Sequence, residues 1–178
     1  YSPFRHLQIQ FHIKAPEFVM RQWYKHVVGI ETTSNSSTKD HAWNEISGRY
    51  VEYDEFYQPE IYRKQSDDNK QASEGQFVDD EHNLANTNWR QAHAMSLTAY
   101  KQLIEMGMAK EQARCILPLT LYTDDYWTAS FQAVMNFIEL RNEKTAQIEI
   151  QEYAKSLLDS MSEAFPKTTK IWSEAHGW

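Results

Sequence analysis

The densest run of side chains able to do chemistry is Arg21-Gln22-Trp23-Tyr24-Lys25-His26, followed after a polar stretch by Trp43-Asn44-Glu45-Ile46-Ser47-Gly48-Arg49-Tyr50. The mixture suits a nucleotide. Guanidinium and ammonium groups neutralise phosphate, a hydroxyl donates to its oxygens, amides read a base edge and aromatic rings stack on the base. Taken singly, an arginine is ordinarily a solvated surface charge and a histidine a hydrogen-bonded structural residue. It is the crowding of these types that points to a ligand.

Other chemistries find less support. His6, His12, His26 and His41 do not form a recognised metal-ligand spacing, and Cys115 is the single cysteine, so no metal is expected. Asp124 and Asp125 are adjacent in a stretch that reads as strand, where neighbours point to opposite faces, so they do not make a working acid pair. Met95, Met106 and Met108 read as core fillers. No glycine-rich phosphate loop occurs among five glycines, which argues against a Rossmann-type dinucleotide site.

The elements that must hold these residues follow from periodicity. His6 to Lys14 alternates, with Leu7, Ile9, Phe11 and Ile13 on one side, predicting a half-buried strand. Pro16 stops it and opens a helix through Phe18, Val19, Gln22, Trp23 and His26. Glu31 to His41 is rich in turn-forming residues and reads as a mobile loop. Gln65 to Asn86 reads as a second polar excursion. Ala92, Met95, Ala99, Leu103 and Met106 recur at helical spacing, with Gly107 as the left-handed residue past the helix end. A short helix should hold Arg114 before Pro118. Leu119 to Thr128 predicts a strand, Ser130 to Leu140 a helix, and Ala146, Ile150, Tyr153, Leu157 and Met161 a last amphipathic helix ending before Pro166. The expected architecture is α/β of an α+β kind, a mostly antiparallel central sheet covered by helices, in one domain over residues 1–178.

Composition narrows the partners. The 178 residues are 41% hydrophobic and 24% charged with a net charge of −7, which disfavours an extended basic surface and hence nucleic acid, while leaving room for a basic pocket around one phosphate. No apolar run is long enough for a membrane span. One cysteine and no secretory signal point to a reducing cytoplasm. Because the chain opens at Tyr1 and enters an apparent strand within a few residues, an N-terminal segment is expected to be missing.

Several blocks in order, Ser2-Pro3-Phe4-Arg5-His6, Arg21-Gln22-Trp23, Asn44 to Tyr50, Arg114 to Pro118, Tyr126-Trp127-Thr128, Met135-Asn136-Phe137, Leu140-Arg141 and Ala146 to Ile150, resemble the flavin-dependent thymidylate synthase (ThyX) family. The resemblance implies a homotetramer that binds FAD and dUMP where subunits meet. Methylenetetrahydrofolate would supply the carbon and NADPH would reduce the flavin. It places Ser2, Lys25, His26, Glu45, Ser130, Gln132 and Asn136 at FAD, and Gln22, Ser47, Arg49, Arg114 and Arg141 at dUMP. Arg141 would stabilise charge developing on the uracil, and Ser47 would position dUMP. If Arg114 faces the phosphate, its helical neighbour Cys115 points about 100° away and is expected in the apolar core, not as a nucleophile.

The chain also departs from the family pattern. Lys25-His26-Val27 stands where the family has Arg-His-Arg, the segment from Val27 to Ser47 is longer than usual, and Ser130 and Gln132 replace an asparagine and an arginine. Two other readings therefore stay open: a related dUMP-modifying enzyme such as a hydroxymethylase, and an inactive nucleotide-binding scaffold.

Overall fold

Alternation of apolar and polar residues carries the first strand up to a proline, and that proline marks the change from strand to helix. The computed structural model describes residues 2–26, 41–46, 54–70 and 72–177. In order, the elements are α1 (Ser2–His6), β1 (Gln8–Pro16), α2 (Glu17–Trp23), β2 (His41–Glu45), β3 (Arg63–Gln65), β4 (Ser73–Gln76), α3 (Asp79–Glu105), α4 (Lys110–Ala113), a 3-10 turn (Arg114–Ile116), β5 (Tyr122–Ser130), α5 (Phe131–Arg141), α6 (Ile148–Ala164) and α7 (Pro166–His176). Three strands form a sheet in the order β1-β5-β2, and β3 pairs antiparallel with β4. Helices with antiparallel sheet are the expected class, and that class is present. Among the described residues no helix is long and apolar enough to cross a membrane.

The chain forms two compact units, one of residues 1–11, 23–42 and 127–178, the other of residues 12–22 and 43–126. The first is built on aromatic rings. Trp23, Trp127, Phe131, Phe137 and Trp172 are all buried, with Trp23 stacked on Phe137 at 4.3 Å between centroids and Phe4 packed against both Phe131 and Trp172, which also touch each other. Such offset and edge-on pairs add to the burial of large apolar area. The helix α5 starts cleanly because Ser130 is its N-cap, its hydroxyl accepting from the Ala133 amide at 3.2 Å, which satisfies one of the amides a helix start leaves open. Ile150, Ala154, Leu157 and Met161 of α6 are buried at helical spacing.

The second unit buries Ile13, Ala15, Val19, Met20, Tyr62, Tyr100 and Leu121. Its longest element, α3, begins with Asp79, Asp80 and Glu81, whose negative charge offsets the positive end of the helix dipole. Polar ring contacts anchor it: Trp89 Nε1 donates to the Tyr57 carbonyl at 3.2 Å, and His93 Nε2 meets Thr120 Oγ1 at 2.8 Å while stacking on Phe56.

Several expectations need correction. The strand and the helix after it sit slightly later than the alternation suggests, with Pro16 as the last residue of β1. The expected polar excursion from Gln65 to Asn86 contains β4 and the start of α3. Met95, Met106 and Met108 are exposed, so they do not fill the core. The helix α6 does end before Pro166, at Ala164, as expected, but it is not the last: Pro166 sits in the first turn of a further helix, α7, where its missing N–H costs no helical hydrogen bond. Gly107 takes the left-handed conformation expected of it, with φ 86°. The loop expected at Glu31 to His41 lies outside the described residues apart from His41, which opens β2.

Candidate functional site

In the first unit, Trp23 ends α2 with its ring in the aromatic core, and the His26 amide closes the turn by donating to the Trp23 carbonyl at 2.9 Å. This turn delivers the His26 ring edge-on to Phe137 at 4.9 Å. Phe137 and Arg141 are one helical turn apart on α5, so the guanidinium arrives at the same place. Arg141 Nε donates to His26 Nε2 at 2.6 Å across 115 residues of sequence.

The electrostatics follow from that geometry. Burial, reinforced by the neighbouring Arg141 cation, pushes the His26 pKa down to about 4, so the ring is neutral near pH 7 and offers Nε2 as an acceptor. Burial also lowers the Arg141 pKa, but arginine starts so high that it remains a cation. With Nε engaged by histidine, the Nη groups are the part of the fork able to face an electron-rich ligand.

Gln132 and Asn136 occupy a different face of α5, one turn apart and both half-buried. Among the described residues the Gln132 side-chain oxygen is buried without a hydrogen-bond partner. A buried acceptor left this way costs about 1–3 kcal/mol, a reason to expect a donor-bearing ligand there. An isoalloxazine or ribityl group has such donors, so the residues present fit a flavin. Ser130 is different: it is fully buried and its hydroxyl already caps α5, which gives it a structural duty. Lys25 is exposed beside His26, and Ser2 opens α1.

The second unit holds the remaining described residues. Gln22 lies half-buried on α2, its amide reaching back toward the Phe18 carbonyl at 3.5 Å. Arg114 is exposed at the start of the 3-10 turn, which is tied to α3 by Ser96 Oγ donating to the Ile116 carbonyl at 2.9 Å. Cys115 is exposed, a correction to the expected core position: the tighter 3-10 geometry turns the segment so that Ile116 is 43% exposed as well. Glu45 accepts from Thr123 Oγ1 at 3.0 Å. Asp124 and Asp125 do point to opposite faces, Asp124 meeting His12 Nε2 at 3.0 Å while Asp125 is fully buried. Ser47 and Arg49 lie outside the described residues.

Sequence reasoning missed Glu17. It is half-buried at the start of α2 and has its pKa pushed up to about 7, first by burial and then by the neighbouring Glu45 carboxyl, with Asp125 adding and Arg114 opposing. The signal was available: an acid set among Ala15, Pro16, Phe18, Val19 and Met20 is a charge within an apolar run.

Comparison with known proteins adds an independent line. The model of the thymidylate synthase complementing protein family matches residues 1–167. The chain is 41% identical over 174 residues to a flavin-dependent thymidylate synthase of Thermus thermophilus, covering 97% of this chain and 59% of that one. It is 40% identical over 170 residues to the enzyme of the same name from Thermosipho africanus, covering 94% and 68%. Among solved structures it resembles the UMP/dUMP methylase PolB from Streptomyces cacaoi bound with 5-Br UMP, at TM-score 0.80 and 26% identity, over 97% of this chain and 76% of that one. The chain thus spans about three fifths of the length of the Thermus relative.

Proposed function

We infer, because the chain belongs to the thymidylate synthase complementing protein family, that it acts as a flavin-dependent thymidylate synthase in which dUMP is methylated at C5. Methylenetetrahydrofolate is the carbon donor, NADPH the reductant, FAD the cofactor, and the working form a homotetramer in a reducing cytoplasm. Relatives named for this activity and a structural neighbour named as a UMP/dUMP methylase support the reading.

The observation that carries it within the chain is the Arg141–His26 pair. Among the described residues no carboxylate pairs with this cation, which is oriented through Nε by a neutral imidazole, so its charge stays available to an electron-rich pyrimidine edge. Preorganised charge of this kind stabilises negative charge as it develops, and needs no reorganisation at that moment. A salt-bridged arginine would already be compensated. Arg114 is exposed on a short turn and suits a phosphate, where a bidentate guanidinium gives both energy and geometry. Arg49 and Ser47 are proposed as further dUMP contacts, and Gln22 as a reader of the base.

Gln132 and Asn136, with His26, Lys25, Glu45 and Ser2, are proposed to hold the flavin. The flavin, when bound, supplies the reducing equivalents that turn the transferred one-carbon unit into a methyl group. The chain's own residues bind, orient and exclude water around that exchange. A purified protein should carry a flavin absorption spectrum that is bleached by NADPH, and dUMP should perturb it. Purification without flavin, together with no spectral change on adding FAD and dUMP, would refute the reading.

A further inference from the structure

In the second unit a fully buried hydroxyl meets an exposed carboxylate across 78 residues of sequence: Thr123 Oγ1 donates to Glu45 Oε1 at 3.0 Å. Main chain brings the two together. Glu45 is the last residue of β2, and the next amide, that of Ile46, donates to the Asp124 carbonyl at 2.8 Å, which ties the end of β2 to β5 beside Thr123. The strand β5 lies between β1 and β2. Alternation along it puts Thr123 and Asp125 on its buried face, as strand geometry requires.

We propose that Thr123 is a positioning residue: its buried hydroxyl holds the Glu45 carboxylate in the orientation in which that carboxylate accepts a hydrogen bond from the flavin. The proposal rests on the reading of Glu45 as a flavin contact. A buried strand position is well served by valine, which has the shape of threonine without the hydroxyl. Burying the hydroxyl costs free energy unless it is bonded, and here the bonded group is Glu45. An ionised carboxylate only accepts, so the direction of the bond is fixed and it is charge-assisted. An exposed glutamate otherwise samples many rotamers and loses that freedom when a ligand arrives. Anchored through Oε1 to a buried donor, Glu45 is held beforehand, which lowers the cost of binding. The rest of the carboxylate then accepts from the ligand, and the ring N–H and ribityl hydroxyls of a flavin are donors of the required kind.

Substitutions at the two positions separate this role from packing. Thr123→Val keeps the β-branched shape and removes the donor. Thr123→Ser gives up a methyl group and keeps the donor. Glu45→Ala removes the group that is held. A residue that merely packs is better replaced by valine than by serine; a residue that positions Glu45 is better replaced by serine. Should Thr123→Val fail to fold, Thr123→Ala removes the donor in its place.

The experiment measures FAD affinity by flavin fluorescence for the wild type, the single variants and the Thr123→Val/Glu45→Ala double variant, with denaturant unfolding of the same proteins free of flavin. Thr123→Val should weaken FAD binding by about tenfold, the order expected for a hydrogen bond to a charged group. Thr123→Ser should stay within about threefold of the wild type, and Glu45→Ala should lose at least as much affinity as Thr123→Val. In the Glu45→Ala background Thr123→Val should change FAD affinity no further, because the bond it breaks is already gone. The unfolding midpoints should be non-additive in the same pair. A Thr123→Val loss that is equally large without the Glu45 carboxylate would overturn the proposal, as would a Thr123→Ser variant as weak as Thr123→Val. Full FAD affinity in Thr123→Val beside a loss in Glu45→Ala would overturn the positioning role alone. Full FAD affinity in Glu45→Ala beside non-additive unfolding would instead remove Glu45 from the flavin site, and the role of Thr123 there with it.

Discussion

The two units solve the same electrostatic problem with opposite groups. In the first, burial among aromatic rings drives a base toward its neutral form, and His26 titrates only near pH 4. In the second, burial beside other carboxylates drives an acid toward its neutral form, and Glu17 titrates near pH 7. Desolvation penalises whichever form is charged, so it lowers one pKa and raises the other. The consequences differ because the starting points differ. His26 is moved out of the physiological range and becomes a constant acceptor for Arg141. Glu17 is moved into that range and becomes sensitive to pH.

The contrast can be broken most severely at Arg141. Replacing it with alanine should lower kcat by about a hundredfold to a thousandfold, the loss seen when one preorganised donor to developing charge is removed, with a smaller change in dUMP affinity. Kinetic constants measured beside equilibrium binding test this; equal, small effects on both would remove Arg141 from its assigned role. Within the same unit, Trp172→Ala should cost about 3–5 kcal/mol of stability by denaturant unfolding. That ring is fully buried, packs on Phe4 and Phe131, and donates to Glu139 at 2.7 Å.

In the second unit, Arg114→Ala should weaken dUMP binding by about tenfold or more while leaving kcat at saturating dUMP largely intact, since a phosphate contact made equally in ground and transition states is uniform binding. Calorimetric titration with dUMP is the check. Stability against pH separates the two tuned groups. The lowered pKa of His26 contributes stability that is lost as pH falls from about 6.5 through about 4. The raised pKa of Glu17 contributes stability that is present below about 4.5 and is lost as pH rises through about 7. Glu17→Gln should therefore remove the decline between about pH 4.5 and about pH 7 that belongs to Glu17, and thermal melts across that window would show it. The smallest effect is expected at Cys115, exposed and with its Sγ directed to the Glu111 carbonyl at 3.4 Å: Cys115→Ala should keep nearly full turnover, and a nucleotide adduct on this thiol would contradict the account.

Local pattern makes much of the scaffold legible. The alternation from Leu7 to Ile13 reports a strand because one side of it packs and the other is wet. The spacing from Ile150 to Met161 reports a helix for the same reason. The reading fails where chemistry, not periodicity, sets the element. Asp79 to Asn86 lacks an apolar stripe, yet its leading acids suit a helix start, and α3 begins there. Pro166 correctly marks the end of α6, but the helix it opens in its own first turn, α7, goes unread because proline signals a break more plainly than a start. The expectation for Cys115 applies α-helical geometry to a segment that is a 3-10 turn. The site residues are recognisable as types, but their pairing is not. Nothing local joins Arg141 to His26 or Glu17 to Glu45, since both meetings depend on tertiary packing that brings distant segments together.

The central claim is tested most directly by the mass of the nucleotide formed when the protein, loaded with FAD, is given dUMP, methylenetetrahydrofolate and NADPH. The account predicts a product heavier than dUMP by one CH2, formed by the wild type and nearly absent with Arg141→Ala. A product carrying an added CH2O, or unchanged dUMP from folded, flavin-loaded protein, would contradict it.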